Sequence, residues 1–324
     1  MNNHTNVNND NKDNKIENLT SKLNKINILK KFSLLSKLSF KNARTNLVSS
    51  IKNLKRENRI LEKTWEIVTL SRNENRPKTI EYINGIFEDF VELSGDRLCE
   101  DDKAIVGGFA KLGERSVAVI GHNKGKNIKE RVEFNFGMPN PSGYRKAMRI
   151  MEIAQRFNFP LITFIDTPGA NPAIEAEDHG QASAISHSIE FMLNLKIPVI
   201  CIFIGEGGSG GALALAIGNH LVILENSTYS VISPEGCAAI LWKDQKEVKK
   251  AAAMLKLTAI DLYKLGAVDK ILREPKGGAQ NSHEKMIHIL KNYLKNILTE
   301  YDKYSGEELK ELRMKKFESF GFFS

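Results

Sequence analysis

Ile197-Pro-Val-Ile-Cys-Ile-Phe-Ile204 runs directly into Gly205-Glu-Gly-Gly-Ser-Gly-Gly-Ala-Leu-Ala214. A β-branched and aromatic run, then five glycines, then an Ala/Leu run predicts three things in order. They are a strand over Val199–Ile204, a tight turn over 205–211 and a short buried helix over Ala212–Ile217. Such a turn places bare backbone N–H groups at a helix entrance, where partial positive charge accumulates. It suits an anion, or an oxygen that becomes anionic only during a reaction.

Three common glycine motifs do not fit. Gly-Glu-Gly-Gly-Ser-Gly matches a dinucleotide fingerprint only loosely, and no ribose-binding acid follows at the required distance. No Gly-Lys-Ser/Thr closes a phosphate loop. Gly207-Gly-Ser-Gly-Gly211 has nucleophile-elbow spacing, but the downstream histidines His220, His283 and His288 do not complete a triad with Ser209. What remains is an oxyanion hole. Glycine admits unusual backbone angles and lets a substrate touch the backbone. The plain alternative is that these glycines serve only close packing.

Working outward, Ser116–Ile120 and Leu161–Asp166 are further buried strands, the second ending in Thr167-Pro-Gly-Ala170. Helices are expected over Tyr144–Phe157, Gln181–Leu195, Lys246–Leu257, Asp261–Leu265 and Glu284–Leu298. Short strands are expected over Leu221–Leu224 and Tyr229–Ile232, around a turn, and over Val268–Leu272. Strand–helix alternation with continuous apolar strands predicts an α/β protein with a parallel sheet covered on both faces.

The chain has 324 residues and a net charge of +8, but the charge is uneven. Residues 21–63 carry +10, residues 1–20 carry −1 and the remainder −1. The high isoelectric point therefore belongs to an N-terminal extension, and nucleic acid is not expected as the main ligand. Residues 1–16 hold seven Asn and little apolar mass, which predicts a disordered tail. Domains are thus expected at 1–20 (tail), 21–63 (basic helical extension) and 64–324 (the folded core). Cys99, Cys201 and Cys237 have no metal-ligand spacing, and Cys201 is expected in the core. The odd, scattered cysteine count argues for reduced thiols and a cytoplasmic location, and no run of 18 apolar residues exists, so no transmembrane helix and no membrane partner are expected.

The motifs then converge. Gly205–Ala212, Asn135-Phe-Gly-Met-Pro139, Gly143-Tyr-Arg-Lys-Ala147 and Phe164-Ile-Asp-Thr-Pro-Gly-Ala170 resemble the alpha subunit of the bacterial acetyl-CoA carboxylase carboxyltransferase. So do Tyr229–Ala238, Leu241-Trp-Lys243, Phe87–Phe90, Gly95-Asp-Arg97 and Asp101–Gly108, over about residues 64–320. The resemblance implies a crotonase/ClpP-like fold of stacked ββα units behind a mostly helical N-terminal extension. It implies transfer of carboxyl from carboxybiotin, carried on the biotin carrier protein, to acetyl-CoA, giving malonyl-CoA for fatty acid synthesis. It also implies an α2β2 heterotetramer with a beta subunit, next to biotin carboxylase in a larger complex. By the same resemblance Gly210 and Gly211 form the oxyanion hole facing biotin. Gly207, Gly208, Thr167, Pro168, Gly169 and Ala170 shape the substrate site. The zinc and most coenzyme A contacts lie on the beta subunit, and this chain binds no metal and holds no biotin covalently. The alternatives are the carboxyltransferase of a biotin-dependent decarboxylase, and a non-catalytic scaffold or RNA-binding subunit.

Asn171, Ala173 and His179 stand where the family usually has an aromatic residue, a glycine and an arginine. His122 and Lys124 are expected either to line the cleft or to lie in a solvated loop. Lys126, Lys129, Glu130 and Arg131 are expected on a solvated face. Glu206 is expected to hold the turn by accepting backbone N–H groups, in preference to the alternative of a general base. Gly211→Val is expected to fill the hole with little effect on folding.

Overall fold

Residues 161–166 and 199–204 are buried at every position, and their side chains alternate between two cores. Leu161, Ile165, Val199, Cys201 and Phe203 face one; Ile162, Phe164, Ile200, Ile202 and Ile204 face the other. A strand packed on both faces has no polar side, which is why these runs are continuously apolar.

The computed structural model describes residues 15–27 and 37–321. The elements are α1 (15–27), α2 (Lys37–Ser71), α3 (Thr79–Ile86), β1 (Glu88–Glu92), β2 (Ile105–Leu112) and β3 (Arg115–His122). Next come α4 (Ile128–Glu133), α5 (Pro141–Arg156), β4 (Leu161–Thr167), α6 (Ile174–Asp178), α7 (Gln181–Asn194), β5 (Val199–Gly208) and α8 (Ser209–Leu213). Then follow β6 (His220–Leu224), β7 (Thr228–Ser230), α9 (Pro234–Leu241), α10 (Val248–Leu255), α11 (Ala259–Lys264), β8 (Lys270–Leu272), α12 (His283–Tyr301) and α13 (Gly306–Glu318).

The chain divides into two compact units. One holds the described residues up to Glu66 together with Pro234–Leu255; the other holds Ile67–Ser233 and the residues from Lys256 onward. This differs from a division at 20 and 63. Helix α2 runs on through 63 to Ser71, residues 15–20 are helical, and α9 and α10 group with the N-terminal helices. The expected disorder of the Asn-rich stretch 1–14, and the helical expectation for 28–36, lie outside the described residues. In the first unit Lys249 Nζ bonds both oxygens of Glu62 at 2.9 Å, and Lys250 Nζ lies 4.8 Å from the Trp242 ring centre.

The second unit holds an eight-stranded sheet of order β1-β2-β3-β4-β5-β6-β8, with β7 also paired to β5. It is mixed rather than wholly parallel: β1, β2 and β3 are antiparallel, and β3 through β8 run parallel. The β1–β2 ribbon escapes the sequence pattern because Gly107 and Gly108 interrupt β2. A Cβ at Gly108 would sit 2.9 Å from the Glu92 Cα of β1, so glycine there permits the strand approach. Segments 220–224 and 228–230 do not form a hairpin; β6 and β7 each pair in parallel with β5. Helices α5, α7, α8 and α11 cover one core, and α3 and α12 the other. Because β3, β4 and β5 are parallel, His122, Asp166–Thr167 and Gly205–Gly208 all emerge at one sheet edge, the carboxyl end where such sheets place ligands.

Candidate active site at the carboxyl ends of β3, β4 and β5

The glycine segment is not a turn from its first residue. β5 continues through Gly208, pairing Gly207 with Thr167 of β4 and Glu206, Gly207 and Gly208 with Thr228, Tyr229 and Ser230 of β7. The helix then begins at Ser209, three residues before the position expected. Gly210 and Gly211 therefore lie in its first turn, where N–H groups have no intrahelical acceptor.

The glycines are needed for space, not for backbone angle. None of the five has positive φ; the left-handed residue here is Ser209, with φ 51°. A Cβ at Gly205 would overlap the Asp166 carboxylate (Cγ at 2.8 Å), and one at Gly207 would lie 2.8 Å from the Phe203 ring. A Cβ at Gly208 would overlap Pro168 O and lie 2.8 Å from Gly169 N. One at Gly211 would overlap Ala170 N and lie 2.5 Å from Gly169 C. Thr167, Pro168, Gly169 and Ala170 are thus locked against the glycine segment, and the eight expected site residues come together. Close packing accounts for four of the five glycines. It does not account for Gly210, whose Cβ would meet only Ile185, at 3.6 Å. The expectation for Gly211→Val is corrected accordingly: its side chain would collide with backbone atoms.

Beside the glycines runs a chain of ion pairs. Arg72 Nε bonds Glu206 Oε1 at 2.8 Å, Glu206 Oε2 lies 3.4 Å from Lys124 Nζ, and Lys124 Nζ lies 2.8 Å from Asp166 Oδ1. Asp166 Oδ1 also accepts the Glu206 N–H at 3.0 Å. Glu206 therefore binds cations, and Asp166 does the backbone work expected of Glu206. Burial pushes the Asp166 carboxyl up, but Lys124 and Lys78 outweigh it and leave the group below its ordinary value. Burial opposes charge on Lys124 too, yet Asp166 and Glu206 raise it. Sequence patterns gave no signal for Arg72, and none for the pairing of Asp166 beyond its place in a motif, because their partners are remote in the chain.

His122 is wholly buried, not in a solvated loop. Its Nε2 lies 3.3 Å from Gly211 O, and its Nδ1 accepts the Asp166 N–H at 3.4 Å, which assigns the neutral ring with the proton on Nε2. Burial pushes its pKa down to about 4, against opposing contributions from Asp166 and the Gly211 carbonyl. The sign follows: the unfolded ring takes up a proton near pH 6.5 and the folded ring does not, so stability is lost as pH falls from 6.5 toward 4. Between pH 7 and 5 the wild type should lose about 2 kcal/mol more stability than His122→Gln. Urea unfolding of both proteins at the two pH values checks this; parallel losses would refute it.

None of the described histidines hydrogen-bonds Ser209, so no Ser–His pair forms around its exposed hydroxyl. Among the described residues no cluster of three or more His, Cys, Asp or Glu side chains has a metal-binding arrangement, and no helix is long and apolar enough to cross a membrane. Lys126 and Arg131 pair with Glu81 and Glu74, at 3.3 and 2.6 Å.

Residues 10–321 match the family model described as "Acetyl co-enzyme A carboxylase carboxyltransferase-like". The acetyl-coenzyme A carboxylase carboxyl transferase subunit alpha of Haemophilus influenzae is 51% identical over 286 residues, covering 86% of this chain and 91% of that one. The chain belongs to this family. The alpha subunits of Geobacter metallireducens and Thermus thermophilus are 54% and 52% identical over 260 residues, each match covering 80% of this chain and 82% of theirs.

The fold is the crotonase-like one of carboxyltransferases. The transcarboxylase 12S structure superposes with a TM-score of 0.55 at 17% identity, over 72% of this chain and 44% of that one. The malonate decarboxylase hetero-tetramer of Pseudomonas gives 0.54 at 14% identity, over 65% of this chain and 84% of that one.

Within this member of the alpha-subunit family, Asn171 is a tie between loops. Its N–H donates to Pro139 O at 3.0 Å, its amide nitrogen to Asn140 Oδ1 at 2.7 Å, and its Oδ1 accepts the Ala173 N–H at 3.0 Å. Gln181 Nε2 donates to the carbonyls of both Pro139 and Asn171, at 2.8 and 3.0 Å. Hydrogen bonds thus fix the loop on both sides of Asn171.

Proposed function

We propose that this chain supplies the biotin-facing half of an acetyl-CoA carboxylase carboxyltransferase. It transfers carboxyl from carboxybiotin on a biotin carrier protein to acetyl-CoA, giving malonyl-CoA. The observation that carries this is Gly210, the one glycine of the segment whose missing side chain neither packing nor backbone angle requires. The space it leaves adjoins the first-turn N–H groups of Gly210 and Gly211, and family membership supplies the substrate class.

Biotin brings a ureido group whose oxygen gathers negative charge as the carboxyl departs. The N–H groups of Gly210 and Gly211 are the donors for that oxygen, held in place before the reaction. Gly207 and Gly208 carry β5 into the helix, and Thr167–Ala170 forms the opposing wall. Thr167 Oγ1 accepts the Gly169 N–H at 3.1 Å and donates to Gly169 O at 2.7 Å, which fixes that wall. No side-chain nucleophile is needed, in keeping with the unpaired chemistry of Ser209.

The enolate of acetyl-CoA, most coenzyme A contacts and the zinc are assigned to a beta subunit, in an α2β2 assembly. The test is co-purification with that subunit, followed by malonyl-CoA formation from acetyl-CoA and carboxylated carrier protein. Product is expected only when both chains are present, with zinc in the beta chain alone. A complete assembly that makes no malonyl-CoA would overturn the proposal.

A further inference from the structure

Helix α8 has only five residues, too few to hold its own direction. At its carboxyl end the Ala214 N–H still makes an α-helical bond, to Gly210 O at 3.0 Å. It then tightens: Leu215 N–H bonds Ala212 O at 3.1 Å, and Ala216 N–H bonds Leu213 O at 3.0 Å. The Leu215 N–H that would serve Gly211 O in a regular helix is therefore used elsewhere.

Buried side chains take the Gly211 carbonyl that this tightening releases and two carbonyls that follow the helix. Gly211 O lies 3.3 Å from His122 Nε2 and 3.4 Å from the Tyr144 hydroxyl. Ala214 O accepts from Ser188 Oγ at 2.6 Å, and Leu215 O from Thr163 Oγ1 at 2.7 Å. All four side chains have no solvent exposure. His122 reaches further: its other nitrogen takes the Asp166 N–H, and Thr79 Oγ1 donates to its carbonyl at 2.5 Å.

We infer that His122 and Tyr144 are positioning residues that grip the Gly211 carbonyl and so aim the Gly210 and Gly211 N–H groups at the substrate oxygen. This rests on the oxyanion role proposed above for those two N–H groups. The two residues touch no substrate. They hold the peptide that follows Gly211, while Ala214 holds the one before it. With both fixed, the Gly211 N–H is held on either side, and the Gly210 N–H precedes it in the same turn, so little reorganisation is needed when charge appears. Both grips are permanent donors at working pH, since burial keeps the Tyr144 phenol protonated and the His122 ring neutral.

The experiment uses the full chain assembled with its beta subunit, assayed for malonyl-CoA formation and for thermal unfolding. Tyr144→Phe preserves volume and removes only the hydroxyl. It should lower kcat roughly tenfold, with KM for acetyl-CoA changed less than about twofold. His122→Leu should lower kcat at least as much, and His122→Gln, which keeps an amide donor, should recover most of it. A Tyr144→Phe enzyme with wild-type kcat would overturn the inference. So would losses that merely track the unfolded fraction and are not rescued by Gln. Gly210→Ala separates the two claims. If it keeps full kcat, the oxyanion role itself fails. If it loses kcat while the Tyr144 and His122 variants keep theirs, only the positioning role fails.

Discussion

Gly211→Ala should destabilise the protein by about 3 kcal/mol, whereas Gly210→Ala should leave stability intact and lower carboxyl transfer about 100-fold. The two glycines are neighbours in one helical turn, yet their surroundings differ. A methyl group at 211 would be driven into the backbone of Gly169 and Ala170, which belongs to a loop tied to β4 and cannot rotate away. At 210 a methyl would rest 3.6 Å from Ile185, an ordinary contact, and Ala favours helix over Gly by up to about 1 kcal/mol. What that methyl does occupy is space beside two N–H donors, and misplacing one such donor typically costs 100-fold or more. Thermal unfolding and turnover of the two assembled variants check the pair. Full activity in Gly210→Ala, or wild-type stability in Gly211→Ala, would contradict it.

Arg76→Met should lower the unfolding free energy by about 3–5 kcal/mol. Arg76 grips Glu274 with both terminal nitrogens, at 2.8 and 2.9 Å, and the two side chains are 2% and 0% exposed. Its Nε and Nη2 also donate to Ile204 O, at 3.2 and 2.8 Å. Burial opposes the guanidinium charge, but the Glu274 contacts outweigh it, and the group holds its proton more tightly than a free arginine. Removing one partner of such a pair strands the other charge away from water. Arg76→Lys should recover little, because an ammonium cannot reproduce the two-pronged contact. Arg76→Met with Glu274→Gln should be less damaging than the sum of the singles, which a double-mutant cycle in urea would measure. A loss under 1 kcal/mol in the single variant would refute the assignment. Because Ile204 directly precedes the glycine segment, the same substitution should also depress turnover.

Strands β3, β4 and β5 were legible because burial on both faces leaves a continuous apolar run. The boundary of β5 was not, because glycines contribute no side chain to a pattern. Gly205–Gly208 stay extended only because β4 and β7 offer hydrogen-bond partners on either side. Gly208 and Gly211 meet Pro168–Ala170 across the fold, and the motifs named both segments but held no sign of the close packing that requires most of these glycines. The ion-pair chain and the grip of His122 and Tyr144 were invisible for a different reason. Arg72 and Glu206 stand 134 positions apart, and His122 and Gly211 stand 89 apart, so only the folded sheet brings them together.

The interlock of Gly208 and Gly211 with Pro168–Ala170 has a consequence for how such a site can change over generations. Those positions behave as a keyed joint: altering one half alone jams it, so drift there must be concerted or absent. The open side at Gly210, bounded by Ile185, is free of that restraint. Libraries that diversify Ile185 should therefore yield folded proteins with shifted donor preference far more often than libraries aimed at the joint. Scaffold and selectivity occupy opposite sides of the same five-residue helix.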